Sequence, residues 1–383
     1  MEVAGLIVIG SGPAGIAAAE AFRQRDATGS VLIVTEDPHP PYLRPPLSKE
    51  YLRGTSSEVE MHPPAWFADR RIELVRARQV DAIDATAQEI TADGIGHRYQ
   101  SLVLACGSSP VPLPVPGGEQ ALALRSLADA HRLRETAAQA GSAVVIGAGF
   151  IGCEAAASLA SRGVPVTLLS PEPTPQAKRL GTEAGQRILR ILSDAGVRYQ
   201  GETRVQAIAD GAVHLDDGTA IESDLILAAT GVKPRSELAR ATHLVMNGEH
   251  VVVRSDMRTS SPHVYAAGDV AQAFNTGAGR PLSTEHWQDA ADQGTIAGEN
   301  AAGGSAKWHG VPGFWSTIGD TTLKYHAWGD GYEKSRLVAH HDGFTVWYEA
   351  GGVTVGALTC NADEDYDEAE KVILSGKPPP VRS

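Results

Sequence analysis

The residues most able to do chemistry are two glycine turns and the acids that follow them. Gly10-Ser11-Gly12-Pro13-Ala14-Gly15 and Gly147-Ala148-Gly149-Phe150-Ile151-Gly152 both space glycine as G-x-G-x-x-G. In such a turn the first glycine permits the tight bend, the second lets a pyrophosphate approach the backbone, and the third lets the helix sit close to the strand. The following helix offers unpaired N–H groups and a positive dipole end to phosphate. Glu36, about 20 residues beyond the first turn, can accept hydrogen bonds from a ribose diol. After the second turn, Ser170 stands at the strand end where an acid is usual, and Glu172 lies just beyond it. Glu172 on an adenosine ribose would repel a 2′-phosphate, which favours NADH over NADPH; Lys178 and Arg179 keep NADPH open. Two such turns in one chain point to two nucleotides brought face to face.

The elements that must position these residues can be read around them. Leu6–Ile9 is a strand, a helix runs from Gly15 to Arg25, and the strand Val31–Val34 leads to Glu36, forming a βαβ unit. The pattern returns with the strand Ala143–Ile146, a helix to about Ser161 and the strand Val166–Leu169. Between Glu36 and Lys49, Pro38, Pro40, Pro41 and Pro45 exclude a regular helix up to Pro46. Ser48 is expected to cap a short helix, Lys49–Arg53. Arg44 and Lys49 then sit on a stiff connection: either Arg44 holds a phosphate or ribose and Lys49 reaches a buried polar ring, or both are surface cations. Glu73–Val80 and Ala85–Thr91 alternate as antiparallel strands. Leu102–Ala105 is a buried strand ending in Cys106-Gly107-Ser108, and Pro110–Gly118 reads as an extended linker and a domain boundary. A strand from Asp224 ends in Thr230-Gly231-Val232-Lys233-Pro234. Val264–Ala267 closes with Gly268-Asp269, whose carboxylate either holds a ribityl hydroxyl or caps a following helix. Glu285-His286-Trp287 opens a helix to Asn300, and Asp365–Leu374 is a helix whose acidic start suits its dipole.

Composition bounds the possibilities. A chain of 383 residues suits two or three domains, and 42% hydrophobic with 21% charged residues is ordinary for a soluble protein. A net charge of −13 argues against nucleic acid and against an anionic membrane surface as partners. Cys106, Cys153 and Cys360 form no C-x-x-C and no metal-ligand spacing, which suits a reducing cytoplasm and a protein without a metal site. Val3–Ile9 lacks the basic flank of a secretory signal, and no run approaches the roughly 18 apolar residues of a membrane span.

Taken together, Gly10–Gly15 with Glu36, Arg44-Pro45-Pro46-Leu47-Ser48-Lys49, Gly147–Gly152 with Glu154, Thr230–Pro234, Ala267-Gly268-Asp269, Glu285-His286-Trp287 and Phe314-Trp315-Ser316 carry a resemblance. The whole chain resembles the FAD-dependent pyridine nucleotide oxidoreductases, in the branch holding NADH–ferredoxin reductases and apoptosis-inducing factor. The resemblance implies an α/β fold of two Rossmann-like dinucleotide-binding domains, for FAD and NAD, plus a small α+β C-terminal domain. Their expected extents are 1–115 with 243–309 for FAD, 116–242 for NAD(P)H and 310–383 for an interface domain. It implies FAD pyrophosphate at Gly12, Pro13, Ala14 and Gly15, its adenosine ribose on Glu36, and Arg44 supporting the pyrophosphate side. Val80 would contact adenine through its backbone, with Gly10, Ala105, Gly107 and Gly268 at the same cradle. Asp269 would hold the ribityl chain, Glu285, His286 and Trp287 would face the pyrimidine end of the ring, and Trp315 would wall it. Lys49 would approach flavin N5 and pair with Glu154. NADH would lie on Gly147, Gly149, Ile151 and Gly152 with Glu172 on its ribose and Gly231 near its nicotinamide arm, and Phe150 would cover the flavin until displaced. Disulfide reductases of this superfamily carry C-x-x-x-x-C after the first ribose acid, whereas Asp37–Gly54 here holds no cysteine, and Cys106 and Cys153 read as packing residues. Electrons would then leave the flavin directly. The expected function is an NADH-dependent reductase of a ferredoxin or rubredoxin-like protein serving an oxygenase or cytochrome P450, acting as a monomer or homodimer. The competing expectation is a slowly turning redox-dependent binding protein like apoptosis-inducing factor.

Overall fold

The computed structural model describes residues 3–380, and they gather into two compact units. One holds the residues up to Leu43, Glu60–Ser109 and Lys233–Phe314; the other holds Arg44–Val59, Pro110–Val232 and the residues from Trp315 onward.

The first unit is built on a sheet whose central strands are near-continuous apolar runs, as a parallel sheet buried on both faces requires. Its parallel order is Ile72–Val75, Val31–Val34, Val3–Ile9, Ile95–Leu104 and Val264–Ala266. Leu6, Ile7 and Val8 are fully buried in its middle strand. An antiparallel extension, Glu89–Ala92 and Val80–Asp84, continues from the start of Ile95–Leu104. The helices Pro13–Arg25 and Trp287–Ala301 lie side by side. Small residues permit that approach: a side chain at Gly294 or Gly298 would collide with the backbone of Ala14 or Ala18.

Here the sequence expectation needs two corrections. Glu73–Val80 is not an antiparallel strand; Ile72–Val75 runs parallel to Val31–Val34, and a turn separates it from Val80–Asp84. Ala85–Gln88 is a turn as well, because Asp84 Oδ1 accepts the backbone N–H groups of Thr86 and Ala87 at 2.9 and 2.8 Å. The strand starts only at Glu89.

The second unit repeats the parallel design. Its sheet order is Val197–Gln200, Val166–Leu169, Ala143–Ile146 and Leu225–Ala228. The helix Phe150–Ala160 follows the second glycine turn and is buried on most of its faces. A three-stranded antiparallel sheet, Val205–Ala209, Ala212–Leu215 and Ala220–Glu222, is attached. The C-terminal part is a five-stranded antiparallel sheet in the order Gly313–Ile318, Thr321–Ala327, Val353–Cys360, Phe344–Ala350 and Lys334–Ala339. The helix Asp363–Leu374 covers it, with Asp363, Glu364 and Asp365 in its first turn as the dipole favours. Asp365 also ties the helix to the sheet, since its Oδ2 accepts the Thr345 hydroxyl at 2.5 Å inside the core.

Candidate functional site

The first cradle lies at the carboxyl end of Val3–Ile9. Gly10 adopts φ +109, and a side chain there would strike the carbonyl of Ala105. Gly15 is held against the Gly10 carbonyl, while the Cβ position of Gly12 meets nothing within 4 Å. The turn is therefore closed where helix and strand meet and open where a phosphate would sit, with Pro13 and Ala14 forming the helix start. That arrangement fits a dinucleotide pyrophosphate.

Of the other residues predicted for this cradle, Glu36, Val80, Ala105, Gly107, Gly268, Asp269, Glu285, His286 and Trp287 fall in the same unit, whereas Arg44, Lys49 and Trp315 belong to the other. Glu36 follows Val31–Val34 and is bridged on both carboxylate oxygens by Arg235. This ion pair holds the Glu36 carboxyl below its usual range. Gly107 and Gly268 both have positive φ at strand ends, and Val80 begins its strand almost fully buried. Asp269 is buried and accepts the Ser108 hydroxyl at 2.6 Å. It does not cap a helix, because the next element is the strand Ala271–Asn275. His286, preceded by Glu285, is the N-cap of the helix beginning at Trp287. Its Nδ1 lies 2.8 Å from Asp289 Oδ2, and its ring rests on Phe314 at 4.5 Å between centroids.

The second cradle has the same turn and different furniture. Gly147 has φ +105 and abuts the Ala229 carbonyl, Gly152 lies against the Gly147 carbonyl, and Gly149 is open. The helix here starts with large apolar side chains, Phe150 and the half-exposed Ile151. Gly231 takes φ +100 at the neighbouring strand end. Glu172 turns back on its own loop: its Oε2 accepts the backbone N–H of Lys178 at 2.7 Å. Arg179 reaches over the ring of Phe150 and that of Tyr325, at 6.0 and 5.7 Å.

Lys49 and Glu154 belong to this second unit and form a buried ion pair, Nζ to Oε2 3.0 Å, with side chains 7% and 3% exposed. Removing two charges from water is costly, so the pair needs full hydrogen bonding. Ser48 Oγ donates to the same oxygen at 2.5 Å, and the other oxygen accepts Ser316 Oγ at 2.7 Å and the Thr317 N–H at 3.2 Å. Four donors thus fix one carboxylate and, through it, one ammonium. This corrects the expectation for Ser48. It caps no helix; the helix runs Glu50–Arg53 after a non-helical Lys49, because a buried anion competes for the hydroxyl. Arg44 donates to the Arg125 carbonyl at 2.8 Å, so neither Arg44 nor Lys49 is a free surface cation. Trp315 is 44% exposed beside Ser316.

Arg235, Ser48, Ser316 and Thr317 are the functional-site residues that the sequence did not disclose as partners. Ser48 and Ser316 sit beside Lys49 and Trp315, so adjacency was a usable signal. Arg235 is 199 residues from Glu36 and had none. The cysteines offer no thiol chemistry: Cys153 is fully buried, desolvation pushes the Cys106 thiol up to about 11, and Cys360 is raised by burial. Among the described residues no group of three or more His, Cys, Asp or Glu could hold a metal ion, and no helix is long and apolar enough to cross a membrane.

Comparison with known proteins agrees with this geometry. The family described as pyridine nucleotide-disulphide oxidoreductase matches residues 4–294. Rhodocoxin reductase of Rhodococcus erythropolis is 32% identical over 97% of this chain and 90% of its own. Human apoptosis-inducing factor 3 is 28% identical over 97% of this chain, which spans 63% of that longer protein. Among solved structures, the ferredoxin reductase for the CYP199A2 system from Rhodopseudomonas palustris superposes with a TM-score of 0.92 at 29% identity, covering 98% of this chain and 96% of that one.

Proposed function

The chain belongs to the pyridine nucleotide-disulphide oxidoreductase family, and from that premise we propose that it takes a hydride from NADH onto FAD and passes single electrons to a ferredoxin or rubredoxin-type protein. Such a partner would in turn serve an oxygenase or cytochrome P450. The observation that carries this reading is that Asp37–Gly54, the segment on which disulfide reductases of the superfamily carry their thiol pair, contains no cysteine and instead brings Lys49 to a buried ion pair with Glu154.

FAD, when bound, accepts electrons as a pair and releases them singly, which is the chemistry the reaction needs. The chain's own residues would bind and orient. Gly10, Gly12, Pro13, Ala14 and Gly15 receive the flavin nucleotide's pyrophosphate, Glu36 its ribose diol, and Asp269 a ribityl hydroxyl. Arg44 supports the phosphates, and Val80, Ala105, Gly107 and Gly268 complete the cradle. Glu285, His286 and Trp287 would address the pyrimidine edge and Trp315 would wall the ring. Lys49 would supply a fixed positive charge to a flavin held there, which is worth most in a site closed to water. Glu154 orients that ammonium and limits its strength. Gly147, Gly149, Ile151, Gly152 and Gly231 receive NADH, Glu172 takes its ribose in preference to a 2′-phosphate, and Phe150 yields to the nicotinamide. The domain extents that go with these roles are 1–115 with 243–309, 116–242 and 310–383.

Stopped-flow reduction by NADH and NADPH, followed by a panel of ferredoxin, rubredoxin, quinone and oxygen, tests the reading. Fast reduction by NADH and transfer to an iron–sulfur protein is the expected result. Slow reduction with a persistent long-wavelength band and an NADH-dependent change in mass would replace it with the binding-protein reading that the match to apoptosis-inducing factor 3 supports.

A further inference from the structure

We propose that Arg235 is the positioning residue of the first cradle, fixing the Glu36 carboxylate to receive the vicinal diol of an adenosine ribose and thereby slowing flavin release. This rests on the reading that FAD occupies the first cradle.

Three observations carry it. The guanidinium bridges both oxygens of Glu36, with Nη2 to Oε2 at 2.6 Å. A guanidinium fork matches a carboxylate in its own plane and holds it in one rotamer. Each carboxylate oxygen has two acceptor sites, so one on each remains for a ribose hydroxyl. The side chains are 40% and 48% exposed, which leaves that outer edge open. Finally, Arg235 is itself anchored to the cradle: its backbone N–H donates to the Gly107 carbonyl at 2.9 Å, two residues along from the Ala105 carbonyl against which Gly10 rests. A glutamate alone would lose rotamer freedom on binding the diol, whereas a pre-fixed one does not.

The charged and titratable groups around the pair are few. Cys106 lies near both partners and stays a neutral thiol, and Glu237 contributes a second negative charge on the Arg235 side. Because Arg235 holds the Glu36 carboxyl below its usual range, the charged ribose contact persists down through the ordinary carboxylate range and is lost only as pH falls through the lowered value.

The test follows FAD release from the diluted full-length holoprotein by flavin fluorescence, across pH, for wild type, Arg235→Ala and Arg235→Lys. Arg235→Ala is expected to release FAD faster by about ten-fold or more at neutral pH, as removal of a charge-assisted hydrogen-bond pair implies. The pH at which FAD is lost on acidification should also move upward in that variant. Arg235→Lys should fall between the two, since an ammonium cannot bridge both oxygens. Glu36→Gln should add little to the loss in Arg235→Ala, as coupling of the two side chains requires. FAD retained as tightly or more tightly in Arg235→Ala, or an unshifted acid profile in both variants, overturns the proposal and makes the pair a latch that the ribose must displace. A wild-type protein that holds no FAD would instead overturn the reading of the cradle itself.

Discussion

The two glycine cradles share a turn and differ in how their acids and helices are held. In the first, the helix opens on Pro13 and Ala14, and Glu36 is gripped by an arginine brought from far along the chain. In the second, the helix opens on Phe150 and Ile151, and Glu172 is tied to a backbone N–H six residues away. The second helix also carries Glu154, which is fixed by four donors and holds Lys49. A distant charged clamp suits a resident nucleotide; a local loop with apolar residues at its mouth suits one that comes and goes. On the proposed reading, one turn motif would support retention in one place and exchange in another, with the neighbours deciding which.

The largest expected effect comes from removing what only the second cradle has. Glu154→Ala leaves the Lys49 ammonium buried without its carboxylate and should cost about 3–5 kcal/mol, read from urea unfolding. Lys49→Ala leaves the carboxylate its three other donors and should cost less; its sharper mark is slower flavin reduction by NADH. The next pair separates the cradles. Both Gly15→Ala and Gly152→Ala drive a methyl into a backbone carbonyl, at about 1–3 kcal/mol each. Gly15→Ala should yield protein poor in flavin absorbance, whereas Gly152→Ala should keep its flavin and lose its response to NADH. Equal flavin loss in both would erase the contrast. Glu172→Arg should move the NADH-to-NADPH preference by about ten-fold or more toward NADPH, read as the ratio of kcat/KM values. The smallest effect belongs to Tyr348→Phe, whose hydroxyl donates to the Leu180 carbonyl just before the break in that helix at Gly181. It should cost about 0.5–1.5 kcal/mol and leave cofactor preference unchanged.

Local pattern made the parallel sheets and both cradles legible. Val31–Val34 and Val166–Leu169 have the bounds that their apolar runs announce. The residues Glu73–Val80 misled because alternation over a short exposed stretch does not reveal which neighbour the strand will pair with. The helix-cap alternative for Asp269 fell away because the following segment is a strand, which leaves the ribityl contact as part of the proposal. Lys49 and Glu154 were paired through resemblance; of the donors around them, Ser48 and Ser316 were signalled only by adjacency and Thr317 not at all. Ser48 looked like a helix cap because local rules know nothing of a carboxylate that arrives from another element. Arg235 was invisible for the same reason at greater range: one arginine among many carries no mark of its partner.

The closing strand of the first sheet arrives late. Val264–Ala266 pairs with Leu102–Leu104, and Ser108 meets Asp269, 161 positions further along the chain. At a translation speed of roughly 5–20 residues per second, the Leu102–Leu104 edge therefore waits on the order of ten to thirty seconds for its neighbour. During that interval the second βαβ unit is complete and free to fold from local contacts, while the first remains an open, apolar sheet margin. Such margins invite pairing with other chains. In a cell, synthesis of this protein is thus most exposed to aggregation between the appearance of the first cradle and that of the strand which seals it, and a chaperone that shields extended apolar segments would act there.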